Sequence, residues 1–238
     1  MYRKLVLAIP HATRRIDSEW SDAAKVAQDA DRWTDWDTDK LFLVTHPQIQ
    51  AVIGRISRFD CDLERLQNDP LEVAGQGILY TRSHSGAVRE LDEPAKSRLM
   101  EHWRAYRREL ADVLVDDSLL IDCHSFPSDI APSIDVCIGV NEDCSKPNSD
   151  TIAMVLDYFE RLGYRTRINV PFSNALTPET DAVYHSMMIE LNKQVYWNER
   201  TLKPLDSAIT LHNQLKQLYR KLLGREVEDS PAPSSMEP

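Results

Sequence analysis

Two apolar runs in this chain stop abruptly at polar residues. Leu5-Val6-Leu7-Ala8-Ile9 leads into Pro10-His11, and Leu119-Leu120-Ile121 leads into Asp122-Cys123-His124-Ser125. A short continuous apolar run with polar ends reads as a strand buried on both faces. The pattern predicts strands over 4–9, 118–123 and 134–139. It also predicts one starting at Ala51-Val52-Ile53 and running through Arg55, Ser57 and Phe59. A further strand is expected at 166–170, ending before Pro171, and the segment 187–191 is short and apolar. Residues 75–80 read as a turn and a short strand. Between these segments the spacing becomes helical. Glu93-Pro94 opens a helix reaching about Leu114, with Leu99, Trp103, Tyr106 and Leu110 along one face. Ser149 or Asp150 caps a helix to Arg161, closed by Leu162-Gly163. Residues 207–223 form an amphipathic helix, and the alanine-rich, acidic stretch 19–29 is helical. Thr34 or Asp35 caps a helix over about 36–44, with Asp35, Asp37 and Asp39 near its positive end.

Alternating strands and helices point to an α/β sandwich. No linker or repeat interrupts the pattern, so residues 1–225 are expected to form a single domain. The last thirteen residues, 226–238, hold three of the 13 prolines and are expected to be disordered.

Charge and composition narrow the function. Across 238 residues, 28 Lys and Arg stand against 38 Asp and Glu, a net charge of −10. No basic field exists to displace counterions from phosphates, so a nucleic-acid partner is not expected. With only seven glycines and no GxGxxG or Walker loop, a nucleotide is not expected either. The four cysteines form no CxxC pair, and Cys123 and Cys137 fall in apolar runs, which suggests free buried thiols in a reducing compartment. The first apolar run is too short for a signal peptide or a membrane span, so a cytoplasmic protein with no membrane partner is the expectation.

In open α/β sheets the functional crevice lies at the carboxyl ends of the strands. His11 and His124 follow two such ends, and imidazole is the commonest metal ligand. A catalytic zinc site takes three protein ligands and leaves a position for water, so a carboxylate is needed. Asp35 and Asp39 would share a helix face, with Asp37 pointing away. The alternative is that all three merely stabilise a helix start. Asp122 points to the same sheet face as His124 and is suited to orienting it. Arg55, Arg58 and Arg65, with Asp60 and Asp62, form either a carboxylate clamp or a surface ion-pair cluster. Glu190 sits between Ile189 and Leu191. Burial would raise its pKa and suit it to proton transfer, unless it faces solvent.

Taken together these motifs resemble the N-formylglutamate amidohydrolase family. Ile9-Pro10-His11-Ala12 is similar to its Pro-His-(Ser/Ala)-Gly motif. The segment from Thr34-Asp35-Trp36 to Asp39-Lys40-Leu41-Phe42 resembles its Thr-Asp-x-x-(Val)-Asp-x-Leu. Ser57 to Arg65 resembles Ser-Arg-x-x-x-Asp-Leu-Asn-Arg. Ile121 to Ser128 is similar to Ile-Asp-Cys-His-Ser-x-Pro-Ser, and Ile189 to Tyr196 resembles Ile-Glu-(Ile/Leu)-Asn-Arg-x-x-Tyr. The resemblance spans about residues 5–200. It implies a three-layer α/β/α sandwich with a mixed, largely parallel sheet, of the zinc-carboxypeptidase type. It implies one Zn²⁺ per chain on His11, His124 and an acidic ligand, placed at Asp35 with Asp39 second; other divalent transition metals suit the same donors. Glu190 would act as base and then acid. Arg65, with Arg58, would clamp a substrate carboxylate, and Asn169 of the Asn-x-Pro loop would line the substrate site. The expected reaction is hydrolysis of an N-acyl amino acid, with N-formyl-L-glutamate as the family's substrate.

The chain departs from the family pattern in three places. Glu64 replaces the Asn before the terminal Arg, putting an anion beside the clamp. Ser173-Asn174-Ala175 lacks both glycines of the corresponding loop. Thr13 stands where the first motif ends in Gly. These departures concern the substrate pocket more than the metal machinery. They leave two alternatives open: a zinc hydrolase of short peptides or cell-wall amides, and a non-catalytic carboxylate-binding protein. The sequence leaves the oligomeric state open.

Overall fold

Leu5, Leu7 and Ile9 point to one side of a sheet and Val6 and Ala8 to the other, and all five are fully buried. The strand therefore needs a cover on each face, which is why the run is apolar without alternation. A computed structural model describes residues 1–224; the expected tail over 226–238 lies outside them. Six strands make one sheet: β1 (Lys4–Ile9), β2 (Ile49–Ile53), β3 (Ser118–Phe126), β4 (Val136–Gly139), β5 (Thr166–Ile168) and β6 (Tyr184–Asn192). Their order is β2-β1-β3-β6-β4-β5. Strands β2, β1, β3 and β6 are mutually parallel, while β4 runs antiparallel to β6 and parallel to β5. This is a mixed, mostly parallel α/β sheet with helices on both faces.

One face is covered by α4 (Ser149–Arg161) and α5 (Ser207–Leu222), whose Val155, Phe159, Leu211, Leu215 and Leu218 pack on Leu5, Leu7, Leu119 and Ile121. The other is covered by α3 (Glu93–Val113), whose Tyr106 and Leu110 pack on Val6, Ala8 and Leu120. Among the described residues no helix is long and apolar enough to cross a membrane.

Four sequence expectations shift. The strand expected through Phe59 stops at Ile53. Gly54 donates its N–H to the Ile9 carbonyl at 2.8 Å, and a Cβ at this position would collide with the Pro10 carbonyl. The chain then turns, with the N–H groups of Asp60 and Cys61 both donating to the Ser57 carbonyl at 2.9 Å. The helix expected over 36–44 shrinks to α2 (Thr38–Leu41), because its cap Asp37 adopts a left-handed φ of 55°. Asp35 therefore lies outside the helix, and Asp35 and Asp39 do not share a helical face. The helix expected over 19–29 is α1 (Ala23–Trp33), started by Asp22, whose side chain accepts from Lys25 N–H. At 75–80 there is no strand; a 3₁₀ turn (Pro70–Ala74) ends at Gly75 with φ 77°, followed only by an isolated bridge between Gln76 and Tyr80.

The antiparallel edge is tied by Asp135. Its carboxylate accepts from Arg165 Nη2 at 2.7 Å, Arg165 Nε at 2.8 Å and Arg165 N–H at 2.9 Å. Those hydrogen bonds hold the Asp135 carboxyl below the usual carboxylate range. A lowered carboxyl pKa stabilises the fold above the unfolded value, and the contribution is lost as pH falls through the lower folded value. Asp135→Asn is expected to lower the melting temperature by a few degrees at pH 7. The gap to wild type should close in thermal melts taken at progressively acidic pH.

Candidate active site

The C-terminal edge of the parallel strands gathers the polar groups. His11 follows β1, His124 lies near the end of β3, and Glu190 pairs in register with His124 on β6. Parallel neighbours in register point to the same side, so Glu190 stands beside His124. The turn after β2 supplies Arg58, Asp62, Glu64 and Arg65. Asp35 is placed by its N–H, which donates to the His11 carbonyl at 3.0 Å.

Each histidine is oriented by a buried carboxylate. His11 Nε2 lies 2.8 Å from Asp62 Oδ1, and His124 Nε2 lies 2.9 Å from Asp122 Oδ1. Asp122 is fixed in turn by the Leu176 N–H at 2.8 Å. With Nε2–H donating to Asp62, His11 turns Nδ1 toward the space between the rings, whereas His124 has a carboxylate at each nitrogen, Asp122 at Nε2 and Asp35 at Nδ1. The ring centroids are 5.2 Å apart. Asp35 Oδ2 lies 3.1 Å from His124 Nδ1 and 3.8 Å from His11 Nδ1. Glu64 reaches the same pair, with Oε1 3.6 Å from His124 Nε2 and Oε2 3.9 Å from His11 Nδ1.

These residues fit a divalent metal. Donors around a tetrahedral zinc, at bonds near 2.0–2.1 Å, stand about 3.3 Å apart. His11, Glu64 and His124 offer donor atoms all within 4.8 Å of one another, and Asp35 lies inside the same range of both rings. Imidazole and carboxylate donors with carboxylate partners behind the rings are a common way to hold such an ion.

The surrounding charges are strongly coupled. Burial opposes ionisation of Asp62, but the neighbouring His11 and Arg58 hold its carboxyl well below the usual range. Burial likewise opposes a charged His124, yet Glu64, Asp122 and Asp35 outweigh it and raise its pKa well above the ordinary value. That excess of negative charge is what a cation would neutralise. Glu190 behaves oppositely. It is 8 % exposed, and burial, reinforced by Asp35 and Glu64, pushes it up to about 8.

The expected clamp residues are held by the protein. Arg58 Nη2 donates to His11 Nδ1 and lies 3.9 Å from Asp35 Oδ1. Arg65 lies 3.5 Å from Asp62 and 3.7 Å from Asp69. Asn169, at φ 55°, spends its amide on Val140, accepting from the N–H at 2.8 Å and donating to the carbonyl at 3.2 Å. It thereby ties the loop after β5 to the end of β4. Arg65 and Glu64 also line a cavity of about 440 Å³, walled by Asp69, Glu142, Asp143 and Asn174. Asp39 takes no part in these contacts; its neighbour Lys40 pairs with Asp37 at 2.7 Å.

Sequence reasoning missed two participants. Asp62 reads from sequence as part of a surface ion-pair cluster, and Glu64 as an intrusion beside a clamp. Their available signal was position: both fall in a turn directly after a strand that pairs with β1.

A family profile described as N-formylglutamate amidohydrolase matches residues 3–197. A crystal structure of N-formylglutamate amidohydrolase from Ralstonia eutropha JMP134 superposes with a TM-score of 0.77 at 16% identity, covering 94% of this chain and 93% of that one. A gene product from Agrobacterium tumefaciens superposes with a TM-score of 0.62 at 16% identity, covering 93% and 89%. No curated protein sequence matches the chain.

Proposed function

The chain belongs to the N-formylglutamate amidohydrolase family, and from that premise we propose a metal-dependent hydrolase that cleaves the amide bond of an N-acyl amino acid. The observation that carries the reading is the buried histidine pair, each ring backed by its own carboxylate and both facing Asp35 and Glu64. His11, His124 and Asp35 would hold one zinc ion, with Glu64 as a further donor within reach. When bound, the ion would lower the pKa of a water and polarise the scissile carbonyl.

The chain's own groups do the rest. Glu190, protected from solvent beside His124, accepts a proton from the attacking water and passes it to the departing amine nitrogen. Its raised pKa suits both halves of that task, since a base near neutrality can also act as an acid. Arg58 contributes positive charge next to His11, where negative charge develops on the carbonyl oxygen. Arg65, which lines the cavity, would bind the substrate α-carboxylate. Asn169 shapes the wall by fixing the 169–175 loop.

Release of free amine from a panel of N-formyl, N-acetyl and N-succinyl amino acids by zinc-loaded protein tests this reading. Turnover of at least one class is expected. Tight metal binding with ligand affinity but no turnover of any member, or of short peptides, would replace it with the non-catalytic binding protein.

A further inference from the structure

The cavity beside the histidine pair has a charge that the family substrate does not match. N-Formylglutamate carries two carboxylates. Among the lining residues, four carboxylates (Glu64, Asp69, Glu142 and Asp143) face one guanidinium, Arg65. Arg65 is already shared between Asp62 and Asp69. It can receive one further carboxylate, which the α-carboxylate would take.

Partners of the acids outside the cavity do not remove the excess. Glu142 pairs with the surface Lys146 at 2.9 Å. Asp143 accepts from Ser145 N–H at 2.8 Å and Oγ at 2.6 Å, both neutral donors. Glu64 turns one side to both histidines and keeps its side chain 36 % exposed. The opposite wall is held in place. Asn141 bonds Ala175 in both directions at 3.1 Å, and a Cβ at Gly139 would collide with the Asn174 carbonyl. This wall carries Ser173, Asn174 and Ala175, none of them cationic.

We propose that Glu64 and this acidic cavity select N-acyl amino acids whose side chain is cationic, such as Nα-acyl-arginine or Nα-acyl-lysine, over N-formylglutamate. The inference rests on the hydrolase reading above. Arg65 takes the α-carboxylate, the scissile amide lies at the histidine pair, and the cationic side chain meets Glu64, Asp69, Glu142 and Asp143. A side-chain carboxylate in that place would meet like charges, least screened at Asp69, whose side chain is 16 % exposed, and more at the exposed Glu142 and Asp143.

The test is kcat/KM of zinc-loaded protein for Nα-formyl-L-arginine, N-formyl-L-glutamine and N-formyl-L-glutamate. The arginine compound is expected to exceed the glutamate compound by at least about tenfold, with the gap narrowing as salt rises. Asp69→Asn combined with Glu142→Gln should narrow the ratio of the two kcat/KM values further. Equal rates, or preference for the glutamate or glutamine compound, would overturn the charge selection while leaving the hydrolase intact. No turnover of any of the three, nor of the acyl panel, with metal bound would overturn both.

Discussion

Glu190→Gln lowers kcat of the metal-loaded protein by about 10²- to 10⁴-fold, the usual worth of a positioned general base, and leaves metal content unchanged. The substitution keeps the shape and removes only the ability to take a proton. The pH dependence follows from the same residue. The base works ionised, so activity should rise with pH along an acid limb set by Glu190, which in the metal-free protein lies at about 8. A cation between the two histidines would move that limb downward by favouring the carboxylate. Stability moves the other way. A carboxyl raised in the folded state contributes most below its unfolded pKa, and the contribution is lost as pH rises through the folded value. Metal-free wild type should therefore lose stability between about pH 4.5 and 8 relative to metal-free Glu190→Gln. Thermal melts of the two proteins at pH 5 and pH 9 check this: the variant should gain on wild type at pH 9. Equal kcat in both proteins would remove Glu190 from the chemistry.

His124→Ala is expected to abolish stoichiometric metal binding, and activity with it. His124 is approached by three carboxylates, those of Asp35, Asp122 and Glu64. Removing the imidazole leaves the buried Asp35 and Asp122 and the part-exposed Glu64 facing one another, so the variant should also be destabilised, by a few kcal/mol on the scale of a broken buried charge pair. Two readouts separate the effects: metal per chain by mass spectrometry, and the melting curve with excess zinc. Zinc should raise the wild-type melting temperature by mass action and leave that of the variant unmoved. A zinc-dependent shift of the same size in both would place the metal elsewhere.

Much of this was legible in the sequence because burial leaves a clear mark there. The runs 5–9 and 119–121 carry no polar residue, so the sheet centre and its polar C-terminal edge could be read directly, and with them His11 and His124, while Glu190 stood out as an acid between Ile189 and Leu191. The 93–114 and 207–223 helices were visible from their spacing. What sequence could not convey was backbone geometry that breaks a pattern. Asp37 takes a left-handed conformation without a glycine, and so the acidic helix at 36–44 collapses to one turn. β2 ends at Ile53, before Gly54, where the Pro10 carbonyl fills the space of a Cβ. The roles of Asp62 and Glu64 depend on that turn, which carries them back against β1 from about fifty residues away. Long-range carboxylate–imidazole pairs of this kind leave no local period to read.

The central claim is that the amide chemistry runs through a metal at His11 and His124. The measurement that tests it most directly is turnover of N-formyl amino acids by chelator-stripped protein titrated with zinc. Activity should be near zero without metal, rise in proportion to added zinc, and level off at about one equivalent per chain, with His124→Ala silent throughout. Full activity in protein shown to be metal-free would contradict the account.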